Sequence, residues 1–139
     1  MKTNLKVRSA NLARVLIDGD EVGLMQNVNM SDDYAPNPAS GIGDIHAIEY
    51  VPSMARHSIS CSKMALRTAG LYAKGIIPKN GEDALKGLVI DIEVLDKATG
   101  TVIRKYIDCT YASGSTEVTK HAIISYQSQW MGLDVDGGM

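Results

Sequence analysis

Leu88-Val89-Ile90-Asp91-Ile92-Glu93-Val94-Leu95-Asp96-Lys97-Ala98-Thr99-Gly100, with its continuation Val102-Ile103-Arg104-Lys105-Tyr106-Ile107-Asp108-Cys109-Thr110-Tyr111, decides the fold class. Side chains of a strand alternate between two faces, so apolar residues at every second position mark a half-buried strand. Leu88, Ile90, Ile92 and Val94 share one face, and Asp91 and Glu93 share the other. Asp96 to Gly100 supplies turn residues. The return strand puts Ile103, Ile107, Cys109 and Tyr111 on one face and Arg104 and Asp108 on the other, with Lys105 interrupting the apolar side. This is an antiparallel hairpin.

The same pattern extends outward in both directions. Downstream, Ala112-Ser113-Gly114-Ser115 reads as a turn. Val118, Ala122, Ile124 and Tyr126 then alternate with Thr119, His121, Ser125 and Gln127, and 134–139 reads as a frayed end. Upstream, Ala13 to Ile17 and Val22 to Met30 flank Asp18-Gly19-Asp20, a tight-turn signal. In the second of these, Val22, Leu24, Val28 and Met30 share a face opposite Glu21, Asn27 and Asn29. Asp44 to Val51 and Ala55 to Met64 read as strands. In the latter, Arg56, Ser58, Ser60 and Ser62 alternate with His57, Ile59 and Cys61. Ala65 to Lys74 reads as a short helix ended by Gly75 and Pro78, with 78–83 as a linker. Residues 31–43 hold two prolines and two glycines and break the sheet pattern, which predicts a protruding loop or irregular hairpin that serves as a contact arm. The expected fold is mainly β: an antiparallel β-sandwich or barrel with one short flanking helix, in a single domain over 1–139.

Bulk properties narrow the function. A chain of 139 residues that is 45% hydrophobic can build one packed core without disulfide staples. Lys plus Arg is 14 and Asp plus Glu is 16, a formal net charge of −2, which argues against a basic duplex-gripping module. No run is long and apolar enough to span a bilayer. The opening Met1-Lys2-Thr3-Asn4-Leu5-Lys6 lacks the apolar stretch of a secretory signal, so the expectation is folding in a cytoplasm and no membrane insertion.

No constellation points to catalysis. His46, His57 and His121 have no metal-ligand spacing. Cys61 and Cys109 fall on apolar faces and read as small buried hydrophobes, with a disulfide as the sharper alternative. Cys61 and His57 share a face but stand roughly 13 Å apart along an extended strand, too far for a nucleophile and its base. Gly41-Ile42-Gly43 and Gly137-Gly138 lack the strand-then-helix context of a phosphate loop. Asp32-Asp33 alone is a poor calcium signature. The expectation is no catalytic residue, no cofactor and no metal.

The segment Val15-Leu16-Ile17-Asp18-Gly19-Asp20-Glu21-Val22-Gly23, then Gln26-Asn27-Val28 and Ser31-Asp32-Asp33-Tyr34, resembles the opening of bacteriophage tail tube proteins. In that family a hairpin of the type V-x-I-N-G-x-x-V-G leads to a polar strand. An irregular stretch like Pro36 to Gly43 follows, then a strand similar to Ile45 to Pro52. Here Asp18-Gly19 stands where Asn-Gly is more familiar, and both suit such turns. The specific part of the resemblance spans about residues 15–52, and the element order extends it over most of the chain.

The resemblance implies a contractile-tail-type tube subunit, related to type VI secretion and tailocin tubes. It implies hexameric rings joined sheet edge to sheet edge and stacked into a conduit for genome ejection in a virion tail. The implied partners are further copies of the chain, tail sheath and baseplate proteins, and DNA in transit without specific binding. Asp32, Asp33, Tyr34, Pro36, Pro38 and Ile42 are the expected inter-ring or intersubunit contacts. Because a conduit must not grip its cargo, Asp91, Glu93, Arg104 and Asp108 are the expected lumen residues. A terminator or baseplate ring protein, a bacterial secretion tube, and a small ligand-binding β-barrel are the alternatives.

Overall fold

The computed structural model describes residues 13–21, 25–65, 78 and 80–137. Its strands are β1 (Ala13–Ile17), β2 (Asp20–Glu21), β3 (Met25–Asp33), β4 (Asn37–Ala39), β5 (Glu49–Val51) and β6 (Arg56–Met64). A short helix α1 (Gly81–Leu85) precedes β7 (Val89–Asp96), β8 (Val102–Glu117), β9 (Ser125–Gly132) and β10 (Asp134–Asp136). One antiparallel sheet runs β2-β1-β7-β8-β9-β6-β3, with β10 also on β8, while β4 and β5 form a separate hairpin.

β8 belongs to two layers. Its first part, Val102 to Thr110, pairs with β7, and its second part, Thr110 to Glu117, pairs with β9. The sheet bends through β8, so that β1 and β7 lie across from β9, β6 and β3. The core is filled from both layers: Ile17, Ile90 and Ile92 on one side, Ile59, Cys61 and Trp130 on the other, with Tyr106 and Cys109 of β8 between them. This is a sandwich made from one continuous sheet.

A bulge in the first part of β8 helps it serve both layers. Ile90 and Ile92 pair with Cys109 and Tyr106, which leaves Ile107 and Asp108 as an extra residue pair opposite Asp91 alone. Asp108 adopts φ 52°, a left-handed conformation, and its N–H donates to the Asp91 carboxylate at 3.0 Å. The insertion resets the period of two, so Tyr106 and Cys109 both enter the core although they are three residues apart. Strict alternation therefore misassigns this strand: Tyr106 and Arg104 lie on the core side with Val94, and Lys105 lies opposite, beside Glu93.

Other expectations meet mixed outcomes. The Asp18-Gly19 hairpin forms with both residues at positive φ, as a primed two-residue turn requires. The alternation in β6 holds, with His57, Ile59, Cys61 and Lys63 buried. Ala112 to Ser115 does not turn. It lies within the 16-residue β8, and the turn comes at 118–124. Gly114 is there for space, because a Cβ would meet Tyr111 Oη at 1.9 Å. The break expected from residue 31 starts later, since Ser31 to Asp33 continue β3. The strand expected over 44–51 is reduced to Glu49–Val51. The end read as frayed carries β10, tied to β8 by backbone pairing. The stretch read as a linker at 78–83 runs into α1. The helix expected over 65–74 lies, apart from Ala65, outside the described residues, as do Val22 and Leu24.

Candidate functional site

Asp32 is the hub of a polar cluster that joins the layers. Its Oδ1 accepts from Tyr106 Oη at 2.7 Å and from His57 Nδ1 at 2.6 Å. Its Oδ2 accepts from Arg104 Nη2 at 2.6 Å. An ionised carboxylate only accepts, so His57 presents Nδ1–H. Burial opposes ionisation of Asp32, but the bonds from His57, Tyr106 and Arg104 together hold its carboxyl below the ordinary value. The bond to Asp32 raises the Arg104 guanidinium in turn, against the pull of burial. Burial, reinforced by the neighbouring Asp32, keeps the Tyr106 hydroxyl protonated. Arg104 also donates to Gly137 O at 2.7 Å, which pins the end of β10.

Asp32 is thus a fastening of the fold, and the segment expected to be a contact arm starts, as a separate hairpin, after it. Asp33 Oδ1 caps the Ala35 N–H, and Tyr34 sets its ring edge-on to His57 with centroids 5.9 Å apart. Beyond them the β4–β5 hairpin projects, with Pro38 paired to Tyr50. Its tip is closed by Asp44, whose carboxylate accepts the Gly41 N–H at 2.7 Å. Ile42, Ile45, Ile48, Tyr50 and Met54 are all strongly exposed, Ile42 completely. Pro36 is exposed on the same projection, so the hairpin leaves a run of apolar side chains in water.

The four residues expected in the lumen do not share a face. Asp91 lies with Lys105, Nζ to Oδ2 3.6 Å, and holds the backbone of Asp108. Glu93 pairs with Lys105 on the same side. Arg104 is on the opposite side, committed to Asp32.

A different face carries a consistent chemistry. On the solvent side of β3, β6, β9 and β8 the register lines up Asn29, Ser60, Gln129 and Ser113 in one row and Asn27, Ser62, Gln127 and Ser115 in the next. Every one is a hydroxyl or amide, and a shallow depression of about 200 Å³ lies among them. The following row is Ser31, Ser58, Met131 and Thr110, with Ser31 and Ser58 hydroxyls 2.6 Å apart. Charge enters at the ends, with Asp33 and Arg56 at one and Glu117 at the other. Among the described residues, no strand pairs with the outer edge of β3, nor with the β7 side of β8 beyond Thr110.

The family described as Phi812 tail tube protein matches residues 2–136 of this sequence. The chain belongs to that family. It is 26% identical over 127 residues to Virion protein 5 of Enterococcus phage phiEF24C, covering 91% of this chain and 90% of that protein. The fold is similar to the tail of an empty gene transfer agent particle, with TM-score 0.69 at 9% identity over 96% of this chain and all of the other. It is equally similar to the SPP1 tail tube, TM-score 0.69 at 12% identity, covering 94% and 79% of the two chains. A chain of the PVC sheath–tube complex of an extracellular contractile injection system gives TM-score 0.65 at 12% identity, covering 94% and 90%. A tail tube protein of this family is a structural subunit, and the mainly β antiparallel sandwich expected from sequence is the fold observed.

Proposed function

We propose that the chain builds the tube of a virion tail by joining its four-stranded layer edge to edge into rings, stacking the rings through the β4–β5 arm, and leaving a passage for DNA. The observation that carries this reading is that, among the described residues, two edges of one layer are unpaired, β3 at one end and the second part of β8 at the other. Strand directions alternate along β8-β9-β6-β3, so β8 and β3 run oppositely. A neighbour's β8 set beside β3 therefore continues the antiparallel alternation without a fault, and the sheet can close on itself. An unpaired edge is otherwise a liability, because its N–H and C=O groups template uncontrolled pairing. Closure into a ring by a head-to-tail contact satisfies both edges in every copy. The role is structural, and sheath and baseplate proteins are the expected neighbours outside and below the tube.

Cysteine pairing tests the seam. Asn27→Cys, Asn29→Cys or Ser31→Cys in β3 is combined with Ser113→Cys or Ser115→Cys in β8. At least one combination is expected to give oxidised ladders of linked subunits, in particles that electron microscopy shows as rings or tubes of uniform width. Tubes that form with no cross-link in any combination would place the seam elsewhere.

A further inference from the structure

We propose that the isoleucines of the β4–β5 arm of one subunit seat on the tip between β8 and β9, residues 118–124, of a second copy in the next ring. The inference rests on the ring reading and adds to it the surface that receives the arm. The registers put arm and tip at opposite ends of the same four-stranded layer. The arm leaves β3 after Asp33 and returns into β6 at Arg56, and these two residues pair at one end. At the other end Ser125 pairs with Met64 and with Glu117, and the chain turns between β8 and β9. The length of β6, about 26 Å at the rise of an extended strand, separates the two ends. A ring closed through strand edges leaves the strand ends on its two faces, so copies stacked head to tail bring arm against tip.

The chemistry of the two ends matches. Val118, Ile123 and Ile124 are exposed on the tip, as Ile42, Ile45 and Ile48 are on the arm. The tip is held in shape by the Ala122 N–H, which donates to Thr119 O at 3.1 Å, and by the Ala65 N–H, which donates to Ile124 O at 2.8 Å. Each apolar set is unfavourable in water and becomes favourable when it covers the other. Charge agrees with this pairing. Residues 34–55 carry Asp44 and Glu49 and no Lys or Arg, whereas residues 118–124 carry Lys120 and no Asp or Glu. Arm against arm would set carboxylates against carboxylates, so the charges favour stacking in one direction. A head-to-tail contact of this kind does not close on itself, and rings can add without limit.

Tubes assembled from the purified protein test this, with a short bis-maleimide as cross-linker over the low background of buried Cys61 and Cys109. Ile45→Cys with Ile123→Cys should give at least tenfold more intersubunit product than Ile45→Cys with Leu133→Cys. The second pair keeps both thiols at the arm's own end of the layer, where Leu133 is exposed next to the pairing of Gly132 with His57. The dilute subunit should give no such product. If the first pair does not assemble, Ile48→Cys with Val118→Cys takes its place. Glu49→Lys and Lys120→Glu should each shorten tubes at low salt, and the two together should restore their length. Equal product from the two cysteine pairs, or more from the Leu133 pair, overturns the docking site. So does a cysteine at 123 that a polymer-linked maleimide modifies as fast in tubes as in the dilute subunit, because the tip would then be left for some other protein. Seam cross-links in tubes without any arm-to-tip product overturn the docking and leave the ring standing. Failure of the unsubstituted protein to form any ring or tube instead removes the ring reading, and the docking with it.

Discussion

Asp32 and Tyr106 lie 74 positions apart in sequence, on strands with two others between them in the sheet, yet the tyrosine hydroxyl donates to the carboxylate at 2.7 Å. The bond can form because the sheet doubles over, and it fastens the strand that leads into the arm to the strand shared by both layers. A half-buried carboxylate with several donors strengthens a fold while every donor is present and weakens it when one partner is removed.

Replacing Asp32 with Asn should therefore lower unfolding stability by about 1–3 kcal/mol, through donors left facing an amide. Tyr106→Phe, which deletes one donor and keeps the ring, should cost about 1 kcal/mol. Urea denaturation of the free subunit measures both. Unchanged midpoints in both variants would mean that the cluster contributes nothing to the fold.

Acid should weaken the subunit through the same carboxylate. Its native-state pKa is depressed, so the stabilisation is complete above the unfolded value, about 4, and is lost as pH falls through the lower native value. In that window the unfolded chain binds the proton first, which favours unfolding. Thermal midpoints taken between about pH 6 and pH 3 should fall less steeply in Asp32→Asn than in the parent.

Gly114→Ala should be strongly destabilising, in spite of the residue's place among turn-like neighbours. The added methyl would stand 1.9 Å from Tyr111 Oη and 3.1 Å from Gln127 O, so the ring that packs edge-on against Trp130 must leave its place. Overpacking of this kind costs about 1–3 kcal/mol. Tyr111→Leu in the same chain should recover part of the loss, and a glycine-specific turn would show no such rescue.

Asp108 offers a test of the bulge. Its φ of 52° suits Gly and Asn and penalises a β-branched side chain. Asp108→Gly should leave stability within about 0.5 kcal/mol of the parent, whereas Asp108→Val should lose about 1–2 kcal/mol. Equal effects of the two, read in the same denaturation assay, would show that backbone strain at this position is immaterial.

The arm should matter for stacking and not for folding. Ile42→Ser with Ile45→Ser removes apolar surface that the isolated subunit leaves in water, so the thermal midpoint should hold while sedimentation shows fewer or shorter tubes. A normal length distribution would release the arm from that role.

The sequence made the strand content legible wherever alternation ran unbroken, as in β6 and β7, and the Asp18-Gly19 turn was legible from its residue types. It failed where one extra residue reset the period. Nothing in Tyr106-Ile107-Asp108-Cys109 distinguishes a bulge from plain alternation, so the inward turn of Arg104 was hidden, and with it the split of the expected lumen set. Ala112-Ser113-Gly114-Ser115 misled because a glycine that makes room for a ring looks the same as one that makes a turn. The hub role of Asp32 was hidden for a related reason: His57, Tyr106 and Arg104 are distant in the chain and converge only after the layers close. The neutral rows were visible residue by residue, as the Ser58-Ser60-Ser62 alternation, but their alignment across strands depends on registers that one sequence does not print.

The double membership of β8 also bears on how a tube answers force. If rings close at the second part of β8 as proposed, tension applied there would pass into the same polypeptide segment that β7 and β10 grip by backbone hydrogen bonds. Rupture would require those bonds to yield together with the seam, and not one after another from a free end. A strand spliced into two layers in this way behaves as a tie rod through a laminate, so load on one layer is shared by the other.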